Sequence, residues 1–472
     1  MPRERRLILI VMCFALATVV SAVSSLNVAL PDLARATGAT STELQWIVDA
    51  YALVFAGLLL LAGNFGDRFG RRLILISGLT IFGSGAVVAT TVSEPSTLIA
   101  VRAFMGLGAA MIMPATLSII TATFPDGERE KAVGMWAGVA GGSAILGLLV
   151  SGAILEFADW PAIFILSTVL ASVALIGTLK FVPAFEGEKD INLDPVGGLL
   201  SAFGLVALCF AFIEGPDHGW TSGLVVGGFA AAAVLIGAFL VWELRQEKPL
   251  LDPRLFKLGG FSGGSLSIFV QFFAAFGLIF VMLQYLQLVL GYSTLQAGAA
   301  LAPTALMVVT VAPRIPKLME RLDTHLIGPA GLVMMAIGFF IFSGLGIGSS
   351  YSHVLAGGLI LGLGMAFATT PATSAIVESL PAEKQGVASA VNDAAREVGG
   401  ALGIAVLGSV LSSQVKDFGP GFDPASFVDG FSSAMIVGAI VLLTGAVIVA
   451  IRERKPSPEG AAYAQPSIRV GK

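Results

Sequence analysis

Gly63-Asn-Phe-Gly-Asp-Arg-Phe-Gly-Arg-Arg72 stands between two apolar runs, near 46–62 and 73–92, and the recurrence of that layout decides the fold. A helix rises ~1.5 Å per residue, so roughly 20 apolar residues cross a hydrocarbon core of about 30 Å. Outward from this stretch, comparable runs lie near 7–30, 97–122, 133–155, 162–182, 195–213, 222–243, 263–290, 297–316, 325–347, 353–376, 386–411 and 429–451. Together these make fourteen expected transmembrane helices, an all-α integral membrane protein. Composition agrees: the chain is 56% hydrophobic and 12% charged, with mean hydropathy +0.89. Soluble domains run at roughly 45–50% apolar and 25% charged, so a surface this greasy would not stay in water. The 57 glycines suit close helix approach in a bilayer.

Leu7–Leu30 is longer than the ~7–15-residue core of a signal peptide and is taken as the first span. Cys13 and Cys209 lie in apolar runs as small core residues, and His218, His325 and His353 form no ligand spacing. No metal and no cofactor is expected, and no nucleic-acid partner. The phosphate-binding pattern Gly-x-x-x-x-Gly-Lys-Ser/Thr is missing, so ATP hydrolysis is not the expected energy source.

An even number of spans puts both termini on one side, and charge decides which. Arg3, Arg5, Arg6, Arg68, Arg71, Arg72, Arg245, Lys248, Arg254, Lys257, Arg314, Lys317, Arg321, Arg452, Arg454 and Lys455 all fall on the side of the termini. Of 27 Lys and Arg, only Arg35 and Lys416 fall in opposite loops, and only Arg102 and Arg396 lie within spans away from the terminus-side end, which Lys180 and Arg314 occupy in theirs. The positive-inside rule therefore places both termini in the cytoplasm. One miscounted span would invert every later loop and erase the bias.

The stretch after span 2 has a faint counterpart after span 10, Ala312-Pro-Arg-Ile-Pro-Lys-Leu-Met-Glu-Arg-Leu-Asp323. Duplicated halves follow: a six-helix bundle over 1–183, a linker with two inserted helices over 184–258, and a second six-helix bundle over 259–455. The linker begins with the acidic segment 183–194, carrying Glu186, Glu188, Lys189, Asp190 and Asp194. The tail 456–472, short and rich in Pro and Gly, is expected to be disordered. Halves of this kind place a substrate site between them near the bilayer midplane.

Ionisable residues at membrane depth cost roughly 2.5–3.5 kcal/mol on insertion scales, so each one asks for a reason. Asp49 and Arg102 each lie about one turn inside spans 2 and 4 from the outer end, close enough in depth to pair. A carboxylate that an arginine approaches and leaves is a proton switch. The alternatives are a helix-start acid for Asp49 and a structural arginine bonded to span 1 for Arg102. Span 13 carries Asp393, Arg396 and Glu397 at i, i+3 and i+4, which brings them together on one helix surface. They are expected to attract a cation and share protons, with internal neutralisation as the alternative. Span 9 adds Gln271, Phe276 and Tyr285 among further aromatic and amide residues, a pocket lining or a lipid-facing stripe.

Gly63–Arg72 resembles the signature between spans 2 and 3 of the major facilitator superfamily. Gly63, Gly66 and Gly70 would permit a tight turn and close helix approach. Asp67 would pair with an arginine or cap the next helix, while Arg68, Arg71 and Arg72 hold an anionic leaflet. Asn27-Val-Ala-Leu-Pro31, Gln45-Trp-Ile-Val-Asp-Ala-Tyr51 and Arg102-x-x-x-Gly-x-Gly-Ala-Ala-x-x-Met-Pro114 resemble the superfamily's fourteen-span drug:proton antiporter branch. So do Leu286-Gln-Leu-Val-Leu-Gly-Tyr-Ser-x-Leu-Gln-Ala-Gly298 and Asn392-x-x-x-Arg-x-x-Gly-Gly-Ala-Leu-Gly403, and Trp46-Ile-Val-Asp49 is similar to the quaternary-ammonium and multidrug exporters.

The resemblance implies a major facilitator fold in the bacterial inner membrane and proton-driven export of amphipathic or cationic drugs by a monomer. It assigns proton coupling to Asp49, Arg102 and Asp393, and conformational switching to Gly63, Gly66, Asp67, Arg68, Gly70, Arg71 and Arg72. Substrate binding falls to Asp393, Arg396, Glu397, Gln271, Phe276, Tyr285 and Asn27, and helix packing in span 5 to Gly138, Gly142, Gly147 and Gly152. Three positions depart from the branch. Ala22 replaces an acid in span 1, Leu148 and Ser151 replace a proline and a glycine in span 5, and Val308 stands where some relatives have a carboxylate. The second functional expectation is export, uniport or symport of one endogenous metabolite or lipid. An enzyme is not expected, since no nucleophile, metal cluster or cofactor motif appears.

Overall fold

The computed structural model describes residues 2–185, 187, 193–247, 249–320, 324–381, 385–415 and 422–453. Glu186, Glu188, Lys189 and Asp190 of the expected linker, Lys416, and the tail 456–472 lie outside the described residues. Within them, fourteen helices are long and apolar enough to cross a membrane.

Spans 1–6 are Arg3–Thr37, Ser41–Phe69, Arg71–Ala89, Pro95–Thr123, Asp126–Leu155 and Ala162–Phe181. Spans 7 and 8 are Pro195–His218 and Gly223–Arg245. Spans 9–14 are Gly259–Gln284, Thr294–Val311, Thr324–Ser343, Tyr351–Glu378, Gln385–Ser412 and Pro424–Glu453. Span 9 runs on into a wide π-turn, Tyr285–Val289.

Local chemistry sets the ends. Thr40 and Glu43 form a reciprocal capping box at the start of span 2, and Ser293 and Gln296 do the same for span 10. The Asp194 carboxylate accepts from Gly197 N and starts span 7. Just before span 4, the Ser96 and Thr97 hydroxyls donate to Glu94 and hold its carboxyl below the usual carboxylate range.

Packing follows a repeated plan. Span 1 packs on 5, 6 and 4, span 2 on 4, and span 3 on 4 and 6. Spans 9–14 reproduce it: 9 on 13, 14 and 12, 10 on 12, and 11 on 12 and 14. Glycine lets the backbones touch. A Cβ at Gly106 would lie 2.5 Å from the Tyr51 carbonyl oxygen, and one at Gly277 2.7 Å from that of Gly403.

The halves meet along two seams, spans 2/13 and 5/10. Their ties gather at the end remote from the termini. Gln45 Nε2 donates to Ser412 Oγ, Thr294 Oγ1 donates to the Gly152 carbonyl at 2.9 Å, and Gln287 Nε2 donates to that of Val28 at 3.0 Å. Toward the termini the helices part. A Cβ at Gly134, Gly138 or Gly142 would meet nothing within 4 Å, and Leu306 and Val309 of span 10 are exposed. The cleft between the halves is sealed at one end and open at the end that carries both termini.

Two expectations about glycines are corrected. Gly138 and Gly142 pack against no helix, because the halves have separated at their level. Gly147 and Gly152 do pack closely: an added Cβ at Gly147 would lie 3.0 Å from Ser21 Cα of span 1, within the same half, and one at Gly152 2.9 Å from Leu295 Cα across the 5/10 seam. Overpacking such a contact costs about 1–3 kcal/mol. Gly147→Leu should therefore lower the melting temperature of detergent-solubilised protein, whereas Gly138→Ala should leave it unchanged.

The stretch Gly63–Arg72 is mostly helix rather than loop. Span 2 continues to Phe69 and span 3 starts at Arg71, so Gly70, at φ +103°, is the whole turn. A side chain there is strained, and its Cβ would strike the Phe185 carbonyl oxygen at 2.6 Å. Gly66 has open space around it, so a close approach there is also corrected. Gly70→Ala should destabilise by about 1–3 kcal/mol in thermal unfolding, while Gly66→Ala, on a helix, should be neutral or slightly stabilising.

Candidate functional site

Span 13 brings its three charges together as its spacing requires. Arg396 Nε lies 3.1 Å from Glu397 Oε1, and its Nη2 lies 3.4 Å from Asp393 Oδ1. Glu397 is nearly closed off, at 7% side-chain exposure, whereas Arg396 and Asp393 stay open at 21% and 19%. The guanidinium reaches across the cleft. Its Nη2 lies 3.7 Å from Met113 Sδ on span 4, and it stands 5.8 Å from the centre of the Phe272 ring. Phe272 meets Phe276 edge-on at 5.7 Å, and Phe276 presses on Gly400 of span 13. One level nearer the termini, Thr373 Oγ1 donates to Asn392 Oδ1 at 3.3 Å. With both acids ionised, the group carries one net negative charge beside aromatic faces and a thioether. Such a surface receives an amphipathic cation.

Asp49 and Arg102 do not pair, which corrects that expectation. Residues two apart on a helix face nearly opposite ways. Ile47 and Tyr51 of span 2 turn toward span 4, and Arg102 is held there, its Nε donating to the Ile47 carbonyl at 3.1 Å and its guanidinium 4.3 Å from the Tyr51 ring centre. The Nη1 and Nη2 atoms find no hydrogen-bond partner. Asp49 turns away, with 0% exposure and both carboxyl oxygens unpartnered, on the side of span 2 whose Ala52, Leu53 and Ala56 cluster with residues of spans 7 and 13.

Other expected residues are tied up. Gln271 Nε2 donates to Ser267, and its Oε1 accepts from Thr369 Oγ1 at 2.6 Å, so no free amide faces the cleft. Tyr285 stacks on Phe431 at 4.8 Å and donates to the Gly346 carbonyl at 2.8 Å, deep in the second half. Its place in a substrate lining is corrected: the ring is buried inside the bundle. Asn27 Nδ2 donates to the Val23 carbonyl at 2.8 Å, leaving Oδ1 buried and unpartnered. Asp67 caps nothing. It pairs with Arg71 at 3.1 Å, while Arg71 Nη1 donates to the Ser118 carbonyl and Arg72 Nη2 to that of Leu179. The motif thereby ties spans 2, 3, 4 and 6 at the open end.

Phe272 was among the span 9 aromatics, whereas Met113 and Tyr51 were given no role of their own in the sequence. Met113 lies three helical turns from Arg102 and so shares its face of span 4, a periodicity that would have found it.

Two matched six-helix halves around a charged, aromatic-lined cleft that opens at one end define a membrane transporter rather than an enzyme. The chain belongs to the Major Facilitator Superfamily, which residues 12–404 match. It is 33% identical over 433 residues to the puromycin resistance protein pur8 of Streptomyces alboniger, covering 89% of this chain and 86% of that one. It is 34% identical over 394 residues to the methyl viologen resistance protein SmvA of Salmonella typhimurium, covering 82% and 78%. Its fold is similar to that of a bacterial homologue of the human lysosomal transporter Spinster in an inward-facing, unoccupied conformation, with TM-score 0.69 and 14% identity over 96% of this chain and 98% of that one. The protein is a multi-pass membrane protein that moves a small molecule.

Proposed function

We propose that this chain exports small amphipathic, commonly cationic drugs in exchange for protons, by alternating access. The carrying observation is the Asp393–Arg396–Glu397 group, set into the cleft wall and touching Met113 of the opposite half. Relatives named for resistance to puromycin and methyl viologen support that substrate class. Asp393, Arg396, Glu397, Phe276 and Asn27 are assigned to substrate. Asp49, Arg102 and Asp393 are assigned to the proton, and Gly63–Arg72 to switching. The chain works as a monomer in the bacterial inner membrane, with bundles 1–183 and 259–455 rocking about the central site. With both termini cytoplasmic, the open end faces inward and the sealed end outward. Leu148, where the branch has a proline, keeps uniport or symport of one metabolite or lipid as the second reading.

The test is ethidium accumulation in cells stripped of their own efflux pumps. Expression should lower accumulation, and collapsing the proton gradient should restore it. Unchanged dye accumulation and drug susceptibility, with one metabolite secreted, would replace this reading by the second.

A further inference from the structure

We infer that inserted spans 7 and 8 travel with the first bundle, and that the cleft's sealed end opens along the face between spans 7 and 13. This rests on the alternating-access reading above. Span 7 lies over the 2/13 seam and touches both partners, so opening that seam must detach it from one of them.

Its attachment to span 2 runs from Thr42 to Leu61 of that helix and along nearly all of span 7. At the sealed end, Trp46 Nε1 donates to Glu214 Oε1 at 2.8 Å, and Thr42 Oγ1 donates to Asp217 Oδ2 at 2.6 Å. Hydrogen bonds to carboxylates are about twice as strong as neutral ones, and separating these helices would break two of them at once. Farther down, a Cβ at Gly57 would lie 2.7 Å from Ala202 Cβ. Lower still, one at Gly198 would lie 2.9 Å from Leu61. At Gly57 the contact reaches the Ala202 backbone, its Cα lying 2.8 Å from the added Cβ, whereas at Gly198 it is with the Leu61 side chain.

The face toward span 13 is different. It is built of Ala401 and Ala405 against Leu205, Cys209 and Ile213, without a charged pair. One polar tie crosses it, Ser409 Oγ to the Phe212 carbonyl at 2.6 Å, and that hydroxyl also reaches its own helix at the Ala405 carbonyl. Losing the cross-tie therefore leaves Ser409 satisfied. Small, flat, apolar surfaces part or slide at low cost, whereas the span 2 face holds. Span 8 follows span 7, since Trp242 Nε1 donates to both oxygens of Asp194, the cap of span 7.

Pulsed electron paramagnetic resonance tests this with three double variants of the full chain, made after Cys13→Ser and Cys209→Ser. Thr221→Cys lies just beyond span 7, Ala36→Cys near the end of span 1, and Ser413→Cys just past span 13, all exposed. Spin-labelled protein is compared in acidic and alkaline buffer, with and without ethidium. The 221–36 distance should stay fixed, while 221–413 and 36–413 shift together by several ångströms. A moving 36–413 distance with a fixed 221–413 distance overturns the inference alone, as does a shifting 221–36 distance. A fixed 36–413 distance overturns alternating access and the inference with it.

Discussion

Glu397→Gln should reduce ethidium efflux at least about tenfold, the equivalent of roughly 1.4 kcal/mol, while a neutral substrate loses no more than about twofold. Glutamine keeps the shape of the side chain and an oxygen for Arg396 Nε, now at 3.1 Å from the carboxylate. What disappears is the charge. Arg396 is then balanced by Asp393 alone, and the group falls from one net negative charge to none. At an effective dielectric of about 20, a unit charge 4 Å away is worth about 4 kcal/mol, so a tenfold loss is a conservative expectation. Efflux of ethidium and of an uncharged dye from the same cells makes the comparison. Equal losses for the two would reassign Glu397 to packing or coupling.

Asp49→Asn should leave folding intact and abolish the dependence of efflux on the proton gradient. The asparagine is nearly isosteric and stays on the side of span 2 that clusters with spans 7 and 13. An ionised carboxylate in that place has no hydrogen-bond donor and no solvent to receive it. The proposed role requires the side chain to gain and lose a proton as the seam opens and closes, which asparagine cannot do. Melting temperature and dye efflux, each across external pH, separate the possibilities. A variant with wild-type efflux and an unchanged pH profile would make Asp49 a packing residue only.

Hydropathy placed fourteen spans, because it is a local sum along the chain. Helix ends were less legible. Span 2 was expected over 46–62 and runs Ser41–Phe69, since a helix continues past the oil wherever caps and polar turns allow it. That is why Gly63–Phe69 looked like a loop. The span 13 group was legible from one helix's own spacing, where i, i+3 and i+4 leave little freedom. Asp49 and Arg102 sit on different helices, and their relationship depends on how spans 2 and 4 are rotated. Depth can be counted from a sequence, but rotation is set by which glycines and rings meet. Tyr285 failed for a related reason, since which side of span 9 faces span 14 depends on how those helices are rotated.

The ties that join the halves at the sealed end are neutral hydrogen bonds from Gln45, Thr294 and Gln287. Each contributes a net ~0.5–1.5 kcal/mol, so breaking all three costs a few kcal/mol rather than tens. A ligand binding one conformer about 10⁴-fold more tightly would shift a 1:99 mixture to 99:1. Balanced so lightly, the carrier needs no dedicated motor: the occupancy of its own cleft is enough to tip it.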